Sequence, residues 1–451
     1  MLITGDKMKH LCDYMIIQRD EDGFGRAVFS GTYKPNDEKN TVVVRVVRED
    51  DNFMAVPWQK CECDGENWSV ELTVPQGGLY RIEARMASCE QHPCNNRYDW
   101  EPLIKCVYHV GVGDIFVMAG QSNMSAYARD PAYDPSELGI SLFDNSGNWV
   151  LAAHPLNSVP NPIYPNNDDS SGNGPGLAFA RMMKRALNVP IGLVAAAKGG
   201  SSLESWNPAE KEECFLYGSL VQKIEQVGSF KGMIWYQGCN ETVEEGESLT
   251  YLEKFSETVS LWREKFGYFP IATCQINRHA WMEEDREQRW GRVREAQRQA
   301  AIRVPDVYIV PTIDLTTCDG IHNTSASSVV VGERLANVML KSWYKQGGYS
   351  APSVRRVSRL DSRTVLLEFY ENHMLRTMDD LAHGINIEDE NGMMNCSKIC
   401  VCDEGAKVIA ERDIGKNAFF HAYWMREVPS FLLRDIYGMP MLACYNVKIE
   451  D

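Results

Sequence analysis

Three residues in this sequence could form a nucleophile and the machinery to activate it. Ser122 stands in "GDIFVMAGQSNMSAY" (Gly113–Tyr127), just after the mostly apolar run Ile115–Ala119 and the pair Gly120–Gln121. A glycine with polar neighbours after an apolar strand is ordinary turn chemistry. It also suits a hydroxyl held at the C-terminal edge of a sheet. A serine hydroxyl is a weak nucleophile near neutral pH. It needs a base to take its proton and donors for the oxyanion that follows. Of nine histidines, His322 in "CDGIHNT" lies in a polar loop directly after a strand candidate, with Asp319 three residues before it. A D-x-x-H turn can bring a carboxylate to the imidazole and fix its tautomer. The same spacing also describes a surface loop histidine. His279 is a rival base, with no acid near it until Glu283.

Candidate donors follow two other strand candidates. Gly199 and Gly200 in "AAKGGSSLESW" could point backbone N–H groups at a ligand, or form a plain strand-to-helix turn. Gln237 and Asn240 in "WYQGCN" could donate a side-chain amide, or bridge loops. Trp206 and Trp235 could stack on sugar rings or belong to the core, and Arg278 follows a further strand candidate.

These residues need a scaffold, and the central sequence predicts one. "DIFVMAG", "PIGLVAAA", "GMIWYQG", "FPIATCQI" and "DVYIVPTI" read as strands. They alternate with helical stretches: "GPGLAFARMMKRALN", "GSLVQKIEQV", "LTYLEKFSETVSLWREKFG", "EQRWGRVREAQRQAAIR" and "SASSVVVGERLANVMLKSWYKQ". Such alternation predicts an α/β domain with a mostly parallel sheet and helices on both faces. Ligands of such sheets gather beyond the strands' C-terminal ends, where all the candidates lie. The flanks are β-rich, with "TVVVRVV", "WSVELTV" and "GLYRIEARM" before, and "TVLLEF", "ICVCDEGAKVIAERDI" and "AFFHAYWM" after. The expected division is a β-rich domain over 1–108, a catalytic domain over 109–347 and a second β-rich domain over 348–451.

A formal net charge of −16 over 451 residues, without a Lys/Arg block, argues against nucleic-acid and anionic-membrane partners. A neutral or small partner is expected. Of 14 cysteines, Cys274 and Cys444 sit in apolar runs and read as buried free thiols. The groups Cys61/Cys63 and Cys396/Cys400/Cys402 lack paired CxxC halves, so no structural zinc is expected, and the chemistry above needs no metal or cofactor. Charges interrupt the N-terminus too often for a secretory leader. Asn123, Asn240 and Asn323 each open an N-x-S/T sequon among the candidate site residues, where a glycan would block the site. Both points suggest a cytoplasmic protein.

The order GQSNM, GG-S, WYQG, DGIH resembles the blocks of the SGNH hydrolase superfamily, and more narrowly the sialate O-acetylesterase-like carbohydrate esterases. "DYMIIQRDEDGFGRAVFSG" and "AYWMREVPSFLLRDIYGMPMLACY" are similar to that family's N- and C-terminal segments, so the resemblance spans nearly the whole chain. It implies a flavodoxin-like parallel sheet and a Ser-His-Asp esterase that removes O-acetyl groups from carbohydrates such as sialic acid or xylan- and mannan-type oligosaccharides. Ser122 would be the nucleophile, His322 the base and Asp319 its orienting acid. The oxyanion hole would use the N–H of Ser122, that of Gly199 or Gly200, and the Gln237 amide. Asn123 would order the nucleophile turn, and Gln121, Asn123, Trp206, Asn240 and Arg278 would border the substrate. One departure stands out: Cys239 follows Gly238 where the family commonly has Glu, leaving Glu241 or Asn240 to take that role. A carbohydrate-binding protein on the same scaffold is the alternative reading. Lipid or thioester hydrolysis would want an apolar tunnel, and these loops are polar and aromatic.

Overall fold

The computed structural model describes residues 9–10, 12–88, 96–169, 172–210, 214–280, 284–371, 374–377, 381–426, 429 and 432–451. Glu283 lies outside them. The strands Ile191–Ala195, Gly232–Tyr236 and Ile271–Cys274 are buried at every position. Continuous apolar runs of this kind belong to a parallel sheet covered on both faces. The observed order is Trp149–Leu151, Ile140–Phe143, Ile191–Ala195, Leu103–Gly120, Gly232–Tyr236, Ile271–Cys274, Val307–Val310. All neighbours are parallel except the first pair. Five of the six parallel strands are those read from the sequence. The sixth, "ISLF", is four residues long and too short to stand out.

Four helices connect these strands, α1 (Gly176–Leu187), α2 (Phe215–Val227), α3 (Glu245–Phe266) and α4 (Glu284–Arg303), and α5 (Ser325–Met339) follows the last of them. Each coincides with a helical stretch of the sequence. α5 stops short of the stretch expected for it, because the backbone widens into a π-turn over Leu340–Tyr344.

The strand that delivers Ser122 is 18 residues long. Its first part pairs antiparallel with Gly77–Ala87 in the N-terminal β region, and its last part is the centre of the parallel sheet. The boundary expected between residues 108 and 109 therefore falls inside one continuous strand. Asp114 pins this join. Its fully buried carboxylate accepts from Arg19 (2.7 and 3.0 Å), Gln18 (3.0 Å) and Tyr344 (2.8 Å), so charge and lone pairs are matched.

The C-terminal region closes into a seven-stranded barrel. The Gln275 side chain docks it to the sheet by accepting from Ala443 N–H and donating to Ala443 C=O, both at 2.8 Å. Arg294 on α4, fully buried, donates to the carbonyls of Tyr423, Trp424 and Met425 at 3.0–3.2 Å. Burial, only partly offset by neighbouring groups such as Glu287, pulls its pKa down to about 9. Cys274 and Cys444 are buried free thiols, as their apolar surroundings suggested.

Candidate active site

The central strand stops at Gly120 because the next strand lies too close for a side chain. Its φ is +126°, and a Cβ there would sit 2.3 Å from Tyr236 O. The chain then turns. Gln121 N–H donates to Tyr236 O at 2.8 Å, and Gln121 O accepts from the N–H groups of Met124 and Ser125. Ser122 stands at the head of this turn with its Oγ 2.8 Å from His322 Nε2. His322 Nδ1 is 2.6 Å from Asp319 Oδ2. With the Nδ1 proton directed at the carboxylate, Nε2 is left to accept from the hydroxyl.

Asp319 also shapes its own loop. Its Oδ1 accepts from His322 N–H (2.9 Å) and Ile321 N–H (3.2 Å). Partial burial raises its pKa, but the hydrogen bonds from His322 and these two amides outweigh it and hold the carboxyl below its ordinary range. Asp314 is engaged elsewhere, bidentate with Arg334 (2.7 and 2.8 Å) and bonded to Arg434 (2.9 Å). His279 is not brought to Ser122. Its ring meets the edge of Trp290, and burial lowers its pKa, aided by Arg286.

Several candidates do other work than the sequence suggested. Asn123, expected to order the nucleophile turn and to border the substrate, has both ends of its amide on the His322 loop: its Oδ1 accepts from Asn323 N–H (2.8 Å) and its Nδ2 donates to Ile321 O (3.3 Å), so it grips the backbone on both sides of His322. Gln121 is equally occupied: its Oε1 accepts from the N–H groups of Gly238 (3.0 Å) and Cys239 (3.1 Å) and staples two strand ends together. Trp206 is fully buried, edge-on to Trp235 at 5.3 Å, and offers no face to a sugar.

The oxyanion candidates also separate. Gln237 is fully buried, and its Nε2 donates to Ser201 O and Glu241 Oε2. Both amide protons are committed, so Gln237 is a strut beneath the site and not an oxyanion donor. Glu241 also accepts from Leu203 N–H. Burial raises its pKa to about 7 against the pull of these donors. Of the paired glycines, Gly199 gives its N–H to Asp168 at 2.6 Å. Gly200, exposed at φ +68°, and Ser122 keep theirs without an acceptor among the described residues. Lys198 N–H and Ser201 Oγ both donate to Gly120 O (2.9 and 3.4 Å), locking the glycine turn against the strand end that carries Ser122. Asn240, half-buried on the single turn Asn240–Thr242, has an amide with no partner among the described residues. Arg278 is half-buried beside Leu315 O.

Sequence reasoning missed Asp168 and Tyr127. Tyr127 lays its ring 4.9 Å from that of His322, and its hydroxyl donates to Asp168 Oδ1 at 3.0 Å. The available signal was the polar tract after residue 152, a long connection with no strand or helix pattern, since such loops are usually functional. No group of three or more metal-ligating side chains is gathered among the described residues.

A family model for carbohydrate esterases, described as sialic acid-specific acetylesterase, matches residues 112–341. The chain belongs to this family. The match begins on the central strand and ends just past α5, so it takes in Ser122, Asp319 and His322. A carbohydrate acetylesterase from Xanthomonas citri, XAC1771, superposes with a TM-score of 0.68 at 21% identity, over 96% of this chain and 97% of that one. The shared fold thus includes both β-rich flanks. NanS aligns over 52% of this chain and 98% of its own, at 17% identity and a TM-score of 0.39. A protein from Arabidopsis thaliana aligns over 51% and 98%, at 24% identity and a TM-score of 0.43. No curated protein matches this sequence.

Proposed function

We propose that this carbohydrate esterase removes O-acetyl groups through an acetyl-enzyme on Ser122. The observation that carries the reading is the unbroken chain from Ser122 Oγ through His322 to Asp319, at 2.8 and 2.6 Å. Ser122 Oγ attacks the acetyl carbonyl while His322 Nε2 takes its proton. Asp319, held ionised, steadies the imidazolium. The oxyanion is met by the N–H groups of Ser122 and Gly200 and by the Asn240 amide, which replaces Gln237 in that role. Collapse expels the sugar alkoxide, protonated by His322. Water, deprotonated in turn by His322, then releases acetate and frees Ser122.

Two guanidinium groups favour an acidic sugar over a neutral one. Arg129 lies over Tyr127, 5.5 Å from the ring centroid, and Arg278 borders the His322 loop. Neither has a carboxylate partner among the described residues. In a chain of net charge −16, both are free to receive a substrate carboxylate. O-acetylated sialic acid fits this better than acetylated xylan or mannan fragments. A cytoplasmic setting belongs to the same reading, because Asn123 and Asn323 are buried and hydrogen-bonded to each other's segments. Glycosylation at either sequon would break that contact.

The test is acetate release by wild type and Ser122→Ala from 4-nitrophenyl acetate, O-acetylated sialic acid and acetylated xylo-oligosaccharides. Release that vanishes in the variant, fastest from sialic acid, is expected. A folded wild type that retains glycan but releases no acetate would establish the non-catalytic binding reading instead.

A further inference from the structure

Asp168 has no part in the proposed proton relay, yet it touches each segment that must be aligned for it. It is buried, 7% exposed, and no Lys or Arg among the described residues pairs with it. Its partners are three neutral donors. Gly199 N–H and Ser125 Oγ reach Oδ2 at 2.6 and 3.0 Å, and Tyr127 OH reaches Oδ1 at 3.0 Å. Burial, with the charge of Asp168 itself, raises the Tyr127 pKa, so the phenol stays protonated and donates. Ser125 lies in the nucleophile turn, the Tyr127 ring flanks His322, and Gly199 precedes the free amide of Gly200.

The arm that carries Asp168 is fastened to the same turn. Three successive carbonyls lead into the glycines, Ala195, Ala196 and Ala197, and each is capped by a buried side chain: Lys223, Asn166 and Asn157. Lys198 Nζ returns to Asn167 O at 2.6 Å. A buried carboxylate held only by uncharged donors is tolerated where the network is complete, and such a network fixes one geometry.

Resting on the esterase reading above, we propose that Asp168 is a positioning residue. It sets the nucleophile turn, the flank of the base and the glycine turn in one register, so that the N–H groups of Ser122 and Gly200 converge on the developing oxyanion. Misplacing one such donor costs on the order of 10²–10³ in kcat. The Asp168→Ala variant should lose about that much with KM changed less than about threefold. Its affinity for phenylboronic acid, which forms a tetrahedral adduct on the serine, should fall in parallel. Asp168→Asn should recover most of the rate. Its carbonyl can keep Gly199 and Ser125, and the Tyr127 hydroxyl can turn to accept from its amide.

Gly199→Ala tests the same contact without altering Asp168. A Cβ there would lie 2.7 Å from Asp168 Oδ2 and 2.6 Å from Tyr127 OH, pushing both away. It should show the same loss in kcat and boronate affinity, and it decides the question if Asp168→Ala does not fold. Folded variants within about fivefold of wild-type kcat would overturn the proposal. A kcat loss with unchanged boronate affinity would overturn it as well. Wild type against Ser122→Ala reads the parent function separately, so the two ideas can fail independently.

Discussion

Replacing Asp319 by asparagine should be more damaging than deleting its side chain. Asp319 Oδ1 accepts two backbone amides, from His322 and Ile321, while Oδ2 faces His322 Nδ1. Asparagine has one acceptor oxygen, and the two amides hold it in the Oδ1 place. Its NH2 then points at Nδ1, which must become the acceptor. The ring proton moves to Nε2, and Nε2 donates to Ser122 where it should accept. Flipping the amide restores the useful tautomer but loses two hydrogen bonds, worth about 1 kcal/mol each. The site is half-exposed and water replaces part of that loss, so the tautomer effect alone is about 10–30-fold. The missing negative charge beside the imidazolium brings the total near 10³–10⁴, the range seen for such triads. Alanine removes the charge but lets water serve Nδ1, so it should keep about 10–30 times more activity than asparagine. Steady-state hydrolysis of 4-nitrophenyl acetate across pH, on variants with wild-type circular dichroism and Tm, reads this directly. Asparagine equal to or better than alanine, or within tenfold of wild type, would refute the tautomer argument. Asp314 could not rescue such a result, because two arginines hold it.

Asn240→Ala should lower kcat by about 10²–10³ with little change in Tm, as an oxyanion donor does. Gln237→Ala should lower Tm while kcat stays within about tenfold; the reverse pattern in the two variants would return Gln237 to the oxyanion hole. Glu241 makes stability pH-dependent. Burial pushes its carboxyl up to about 7 in the folded state from an ordinary value of 4.5, so the folded state holds the proton more tightly, and stability falls as pH rises through that window. The loss is about 3 kcal/mol by pH 8, and Glu241→Gln should remove it. Urea unfolding of both proteins at pH 5 and pH 8 measures the difference, and equal slopes would show that Glu241 stays ionised throughout.

Much of the scaffold was legible because its signals are local. Runs such as "GMIWYQG" are uninterrupted and apolar, helices between them carry a regular apolar face, and Gly120 and Gly200 mark turns with positive φ. The D-x-x-H spacing was legible for the same reason: four residues make one turn, and that turn carries its own hydrogen bonds. What a side-chain amide does could not be read this way. Gln121, Asn123, Gln237 and Asn240 are chemically alike and all lie at strand ends. Which of them is free depends on what arrives from elsewhere in the chain: Gly238 for Gln121, Asn323 for Asn123, Glu241 for Gln237. Three of the four turn out to be struts. A polar residue at a strand end must first satisfy the buried backbone around it, and only the amide left without such a duty can serve a substrate. Asp168 shows the same logic from the other side. Nothing in "NNDDSSGNG" separates it from its neighbours, and its role exists only once the arm folds back onto Gly199.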